Sequence, residues 1–210
     1  MKNVLTEVLP FKFNQKQISE SINTNGGKLI VYGPVQRAGA KNQNSRVYPK
    51  AILEREASKY SENEIAQNRA LGELDHPESS VVNLRNASHN ILQLEWKGDD
   101  LMAKIEILNT PAGNILRELF KSGITLGISS RGLGSVKQLD EDTSEVQDDF
   151  QLVCWDFVSN PSTHGAFMKP ISEGKEYKPN IKELKEQKAE RIIHDLICSL
   201  SGVCCIKGKQ

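Results

Sequence analysis

Four histidines, a pair of serines bounded by glycines and a carboxylate between aromatics are the residues of this chain suited to acyl transfer. That chemistry needs a nucleophile, a base beside it, a group that orients the base, and N–H donors for the oxyanion. The histidines are His76, His89, His164 and His194. His76 closes the run Leu71-Gly72-Glu73-Leu74-Asp75-His76-Pro77, where Pro77 biases it towards an extended conformation. It is therefore expected at a strand end and not inside a helix. Taken alone, it reads first as a surface or loop side chain. Glu73 and His76 make a poor metal pair, because His-Glu-x-x-His is absent and no second histidine follows at ligand spacing.

The serines lie in Gly127-Ile128-Ser129-Ser130-Arg131-Gly132-Leu133-Gly134. Gly127 and Gly132 permit a sharp turn and a close approach of backbone to ligand. Successive N–H groups there would make an anion nest, and Arg131 can hold a carboxylate or orient a water. The string is not Gly-x-Ser-x-Gly, which Arg131 interrupts, nor a Walker loop, which needs Gly-Lys-Ser/Thr. The competing expectation is a glycine-rich hairpin with polar decoration. Asp156 sits between Trp155 and Phe157, so strand alternation puts it on the face opposite to both. If the aromatics face the core, it points outward or into a cleft, and by pattern alone it is a solvated strand carboxylate.

The elements that must carry these groups can be read from periodicity. Residues 28–34 form a buried strand stopped by Gly33-Pro34, and residues 37–47 form a polar loop. Pro49 opens a helix over 49–60 with Ile52, Leu53 and Ala57 on one face, and helix-compatible sequence continues to about 69. Alternation over 90–96 and 101–108 around Gly98-Asp99-Asp100 predicts a hairpin. Thr110 as N-cap and Pro111 at the first helical position start a helix with the stripe Ile115, Leu116, Leu119 and Phe120, ended by Gly123. Residues 124–136 are β-prone, 140–145 an acidic loop, and 150–158 a strand terminated by Asn160-Pro161-Ser162. The order predicts an α+β domain built around an antiparallel or mixed barrel.

The chain has 210 residues, enough for one well-buried domain with tails or at most two small domains, and a formal net charge of zero. That balance gives no electrostatic reason to expect nucleic acid as a partner. No stretch reaches the length of a membrane span, and no partner membrane is expected. Cys154, Cys198, Cys204 and Cys205 contain no Cys-x-x-Cys pair, which argues against a zinc framework or a secreted disulfide scaffold and for free thiols in a reducing compartment. Beyond about residue 170, Lys and Glu dominate until Ile192, Ile193, Leu196 and Ile197, which reads as a solvated linker and a short amphipathic helix.

Arg46-Val47-Tyr48-Pro49, the run 71–77, the glycine-serine string from Gly127 to Ser135 and Trp155-Asp156-Phe157-Val158-Ser159-Asn160-Pro161-Ser162 together resemble the prohead core serine proteases of large tailed bacteriophages. The resemblance spans about residues 29–170, in order. It implies an assemblin-like β-barrel flanked by helices, as in herpesvirus proteases. It divides the chain into an N-terminal segment 1–26, a protease domain 27–170 and a flexible or helical tail 171–210. The implied activity is cleavage of scaffold or core and capsid proteins inside the prohead, in the host cytoplasm, followed by self-cleavage. Self-association in the prohead core is implied too, and no metal or cofactor is required.

The family's histidine falls on His76. Its serine falls in Ser129-Ser130, with Ser129 favoured and Ser130 open because Ser130-Arg131-Gly132 fits a Ser-x-Gly pattern. Asp156 best matches the acidic partner, and His89 is the alternative third member because assemblins use a second histidine. Backbone N–H groups around Ser130, Arg131 and Gly132 are expected to bind the oxyanion. The family's preference for cleavage after glutamate, with an aliphatic residue two positions before, implies self-cleavage at Glu7, Glu20, Glu173, Glu183 and Glu186. Ile52-Leu53-Glu54 and Leu116-Arg117-Glu118 match as well but lie in predicted helices, where they should be protected. A catalytically inactive scaffold protein that keeps the protease fold is the alternative.

Overall fold

The computed structural model describes residues 15–77, 79–159, 162–163 and 168–170. Its main sheet grows from the expected hairpin. β4 (Ala87–Lys97) turns through Gly98 and Asp99 into β5 (Asp100–Ile107). β1 (Leu29–Arg37) lies antiparallel on the other edge of β5. Two short strands, β3 (Leu71–Glu73) and β10 (Lys169–Pro170), flank these, giving the order β10-β1-β5-β4-β3. Edges this short expose few unpaired backbone groups. β1 does not stop at Gly33-Pro34 as predicted. It passes through the proline with a register shift between Pro34 and Gln36, a bulge that accommodates a residue unable to donate to the ladder.

A second, two-stranded sheet pairs β6 (Gly127–Leu133) with β9 (Gln151–Val158). A third joins β2 (Arg46–Val47), β8 (Thr143–Val146) and β7 (Val136–Asp140) in the order β2-β8-β7. The acidic segment 140–145 is thus largely hairpin, turning at Glu141-Asp142. The architecture is α+β as expected, but the sheets do not close into a barrel among the described residues.

The helices cover the sheets as their apolar stripes require. α2 (Lys50–Tyr60) buries Ile52, Leu53, Ala57 and Tyr60, with Pro49 as its N-cap and not its first helical residue. A π-helical turn, Ser61–Ile65, follows where a continued helix was predicted. α3 (Pro111–Lys121) starts as read: the Thr110 side chain accepts from Gly113 N at 3.0 Å, and Leu116 and Phe120 are buried. Ile115, placed in the same stripe by spacing, is exposed. Gly123 closes the helix at φ 75°, where a side chain would be strained.

α1 (Gln15–Thr24), within the N-terminal segment, packs against β1. Ile18 is 2% exposed within the main core, and Ser21 Oγ donates to the Ile30 carbonyl of β1. That core gathers the inward faces of β1, β4, β5, β6 and β9 with α1, α2 and α3. A satellite cluster of Ala38, Tyr48, Ile52, Leu53, Val146 and Phe150 sits between α2 and the small sheet.

Candidate active site

The register of β6 on β9 sorts the candidate residues onto two faces. Ser129 lies opposite Asp156 and Arg131 opposite Cys154, whereas Ile128 lies opposite Phe157 and Ser130 opposite Trp155. Directly opposed residues share a face and successive ones alternate. Ile128, Ser130, Trp155 and Phe157 therefore occupy the core side, where Trp155 meets Tyr60 edge to face at 5.0 Å. Ser129, Arg131, Cys154 and Asp156 occupy the other.

On that face Asp156 is fully buried and is not the solvated strand carboxylate that alternation alone predicts. Its Oδ2 accepts from His76 Nδ1 at 2.8 Å and from Arg131 Nε at 2.9 Å. Its Oδ1 accepts from Glu73 N at 2.9 Å, from Arg131 Nη2 at 3.2 Å and from the Cys154 thiol at 3.4 Å. Burial opposes the charge on Asp156, but the bonds from His76, the Glu73 N–H and Arg131 outweigh it and hold the carboxyl below its usual value. Since Asp156 is anionic, Nδ1 of His76 carries the proton and Nε2 is left as the basic nitrogen.

His76 reaches this position by a local distortion. A parallel bridge pairs Leu74 with Phe157, and Asp75 N donates to the Phe157 carbonyl at 2.8 Å. Asp75 then takes φ 70°, and its side chain accepts from His76 N at 2.9 Å. Asp tolerates the left-handed region because its short carboxylate can bond the local backbone. The chain so turns the imidazole back over β9, with its side chain 37% exposed.

Arg131, partly buried, is held by a cage of acceptors: Asp156, Glu73 Oε1 at 2.8 Å, and the Ser79 carbonyl. Burial would lower its pKa, but the bond to Asp156 and the negative surroundings raise it above its ordinary value. Of the roles read for it, holding a carboxylate is the one its geometry performs. Glu73, fully buried, bonds Arg131 and Asn83 N through Oε1 and makes no side-chain hydrogen bond to His76. The Cys154 thiol is pushed up by burial and by the Asp156 charge, so it stays protonated.

His89, the alternative third member, sits elsewhere in the network. It is fully buried, Nε2 bonds the Trp155 carbonyl at 3.0 Å, Nδ1 bonds Ser88 Oγ at 2.9 Å, and the ring packs edge-on to Phe157. Burial lowers its pKa to about 4, with the Asp156 charge and the Trp155 carbonyl opposing only in part. His89 thus clips β4 to β9 as a neutral imidazole. Gly72 makes room for the clip, because a Cβ there would lie 2.0 Å from the Trp155 carbonyl oxygen.

The stretch 127–133 is a strand and not the expected turn. Neither Gly127 nor Gly132 has a positive φ, so no nest is formed by a left-handed turn there. Gly132 and Gly134 instead admit Phe150, whose atoms lie 2.5 Å and 2.8 Å from where their Cβ atoms would be. Ser129, 3% exposed, bonds Ser162 Oγ at 2.8 Å. Ser162 was read as a strand terminator and as the end of the string from Trp155, with no role in the site; the sequence held no spacing that would pair it with Ser129. His164, Glu7, Glu173, Glu183 and Glu186 lie outside the described residues, whereas Glu20 lies in α1.

Comparisons with known proteins identify relatives of this chain. The model of the family described as prohead core protein serine protease matches residues 13–176. The prohead core protein protease of Enterobacteria phage T4 is 34% identical over 145 residues, covering 68% of each chain. The solved structure of the bacteriophage T4 capsid assembly protease matches with a TM-score of 0.62 and 31% identity, covering 64% of this chain and 84% of that one.

Proposed function

This chain belongs to the prohead core protein serine protease family, and we propose that it is a serine endopeptidase of phage prohead maturation with Ser129 as nucleophile, His76 as general base and Asp156 as the group that orients His76. The observation that carries the assignment is the 2.8 Å bond from His76 Nδ1 to a buried Asp156, with Ser129 directly opposite Asp156 on the same face. Ser130, on the core face beside Trp155, lacks that relation.

The chemistry follows from the tautomer. His76 Nε2 takes the Ser129 proton as Oγ attacks the scissile carbonyl, and the resulting imidazolium is stabilised by Asp156. The same proton then passes to the leaving amine, and water repeats the sequence on the acyl-enzyme. β6 is paired by a strand on one edge only among the described residues, so alternate N–H groups along Ser130-Arg131-Gly132 point away from β9 and are available to the oxyanion. Arg131 acts at a distance by holding Asp156. The Ser129–His76 bond is absent from the free protein, and such bonds commonly tighten only around substrate.

The substrates we propose are the scaffold or core and capsid proteins of the prohead, together with the chain itself, cut after glutamate with an aliphatic residue two positions before. Ser129→Ala, His76→Ala and Asp156→Asn should fold and lose self-cleavage, each by several powers of ten in rate. Ser130→Ala should retain it. Processing by Ser129→Ala but not by Ser130→Ala would move the nucleophile by one residue. An unprocessed wild type would favour the inactive scaffold reading.

A further inference from the structure

The hydroxyl bound to Ser129 in this structure belongs to Ser162, 2.8 Å away, and either oxygen can be the donor. Ser162 is half-buried, and its neighbour Thr163 is 6% exposed. Its backbone is held as well: Gln43 N donates to the Ser162 carbonyl at 2.8 Å. Gln43 sits in a turn closed by Asn42, whose Oδ1 accepts from Asn44 N and Arg46 N at 2.9 Å and 3.0 Å. The polar segment before β2 thus buttresses the loop that carries Ser162. His76 Nε2 has no hydrogen-bond partner among the described residues.

We propose that Ser162 is a further catalytic residue, whose hydroxyl holds Ser129 Oγ in the free enzyme and donates to it as its proton leaves. The inference rests on Ser129 being the nucleophile. A serine hydroxyl has one proton to give and two lone pairs to accept with. At rest Ser129 can donate to Ser162. With substrate bound, Ser129 turns its proton to His76 Nε2, and the pair reverses so that Ser162 donates to Ser129 Oγ.

The step conserves every proton. The Oγ–carbon bond forms, the carbonyl π pair moves onto the carbonyl oxygen, and the Ser129 proton moves to Nε2. Ser162 keeps its own proton and contributes only a hydrogen bond. That bond stabilises the negative charge gathering on Oγ before the new bond is complete. A donor at hydrogen-bond distance from Oγ is also within reach of the adjacent carbonyl oxygen, where the charge goes next.

The test uses the full chain and an alkyl fluorophosphonate, which the nucleophile attacks at phosphorus with loss of fluoride. Ser162→Thr and Ser162→Val have the same shape and differ only in the hydroxyl, so packing is controlled between them. Ser162→Val should lower the limiting rate of labelling by about 10²-fold with the probe's binding constant unchanged, as removal of one oxyanion donor does. Ser162→Thr should restore most of that rate. Equal limiting rates in the two variants, with the label on Ser129, would overturn the role of Ser162 and leave the nucleophile assignment intact. Mass spectrometry that maps the wild-type label to Ser130 or to Ser162, or finds none, would overturn both.

Discussion

Asp156 is the residue on which the candidate site turns, and its environment bears on both the proposed activity and the expected stability in acid. A buried carboxylate persists as an anion only if donors surround it. Here three of them come from Arg131 and His76, and Arg131 is in turn shared with Glu73. Arg131→Met would leave two fully buried carboxylates without their common cation, a loss of about 3–5 kcal/mol. Adding Glu73→Gln should recover part of it, since one stranded charge is removed. Urea unfolding at pH 7 measures both, and a single variant within about 1 kcal/mol of wild type would contradict a buried ion network. His89 adds a pH dependence of definite sign. Its folded pKa is about 4 against the ordinary 6.5, so between those values the unfolded chain binds a proton that the folded one refuses. Stability should therefore fall by about 2 kcal/mol from pH 7 to pH 5, and His89→Gln should flatten that slope. The depressed pKa of Asp156 acts lower, its contribution being lost as pH falls below the usual carboxylate range. The sequence offered His76, Ser129 and Asp156 as candidates but could not show that Asp156 is buried. Its partners Glu73 and Arg131 are 83 and 25 residues away, distances at which no local pattern speaks.

The strands and helices differ in how much of each was legible. The β4–β5 hairpin, α3 with its Thr110 cap and Gly123 stop, and β9 all follow from alternation, capping and glycine at a left-handed position. These are local rules, and local sequence decides them. β6 was read as β-prone but also as a sharp turn, because glycine signals a turn, whereas Gly132 and Gly134 are small in order to let Phe150 approach. Close approach is a tertiary requirement, and it uses the same residue as a turn does. Gly72 is the sharpest case, since it lets His89 reach the Trp155 carbonyl across β3. Gly72→Ala should cost at least about 1–3 kcal/mol by overpacking and should also reduce activity, because β3 supplies the Glu73 N–H that holds Asp156. Gly123→Ala should cost about 1 kcal/mol through its positive φ alone and leave turnover unchanged. Thermal unfolding and fluorophosphonate labelling of both variants separate the two effects. Equal activity in both would mean that the β3–β9 contact does not set the site.

At the scale of the whole molecule, the proposed self-cleavage would have to select among several matches to its pattern. A protease needs its substrate extended in the active site, so a site inside a packed helix must first unfold. The Ile18-Ser19-Glu20 match was expected to be cut, but it lies in α1, where Ile18 is buried in the main core and Ser21 bonds the Ile30 carbonyl. Cutting after Glu20 would strip a core side chain and that bond from β1. It therefore joins Ile52-Leu53-Glu54 and Leu116-Arg117-Glu118, both within helices, among the protected matches. Leu5-Thr6-Glu7 precedes α1, and Ile171-Ser172-Glu173, Ile181-Lys182-Glu183 and Leu184-Lys185-Glu186 follow β10, so none requires a described element to open. We expect matured protein to begin at Val8 and to end at Glu173, Glu183 or Glu186, with α1 retained. Intact-mass and terminal-peptide spectrometry of particles reads this directly. A mature N-terminus at Ser21 would show that α1 is expendable once the prohead assembles, and an intact Gln210 in active particles would remove self-cleavage of the tail from the maturation scheme.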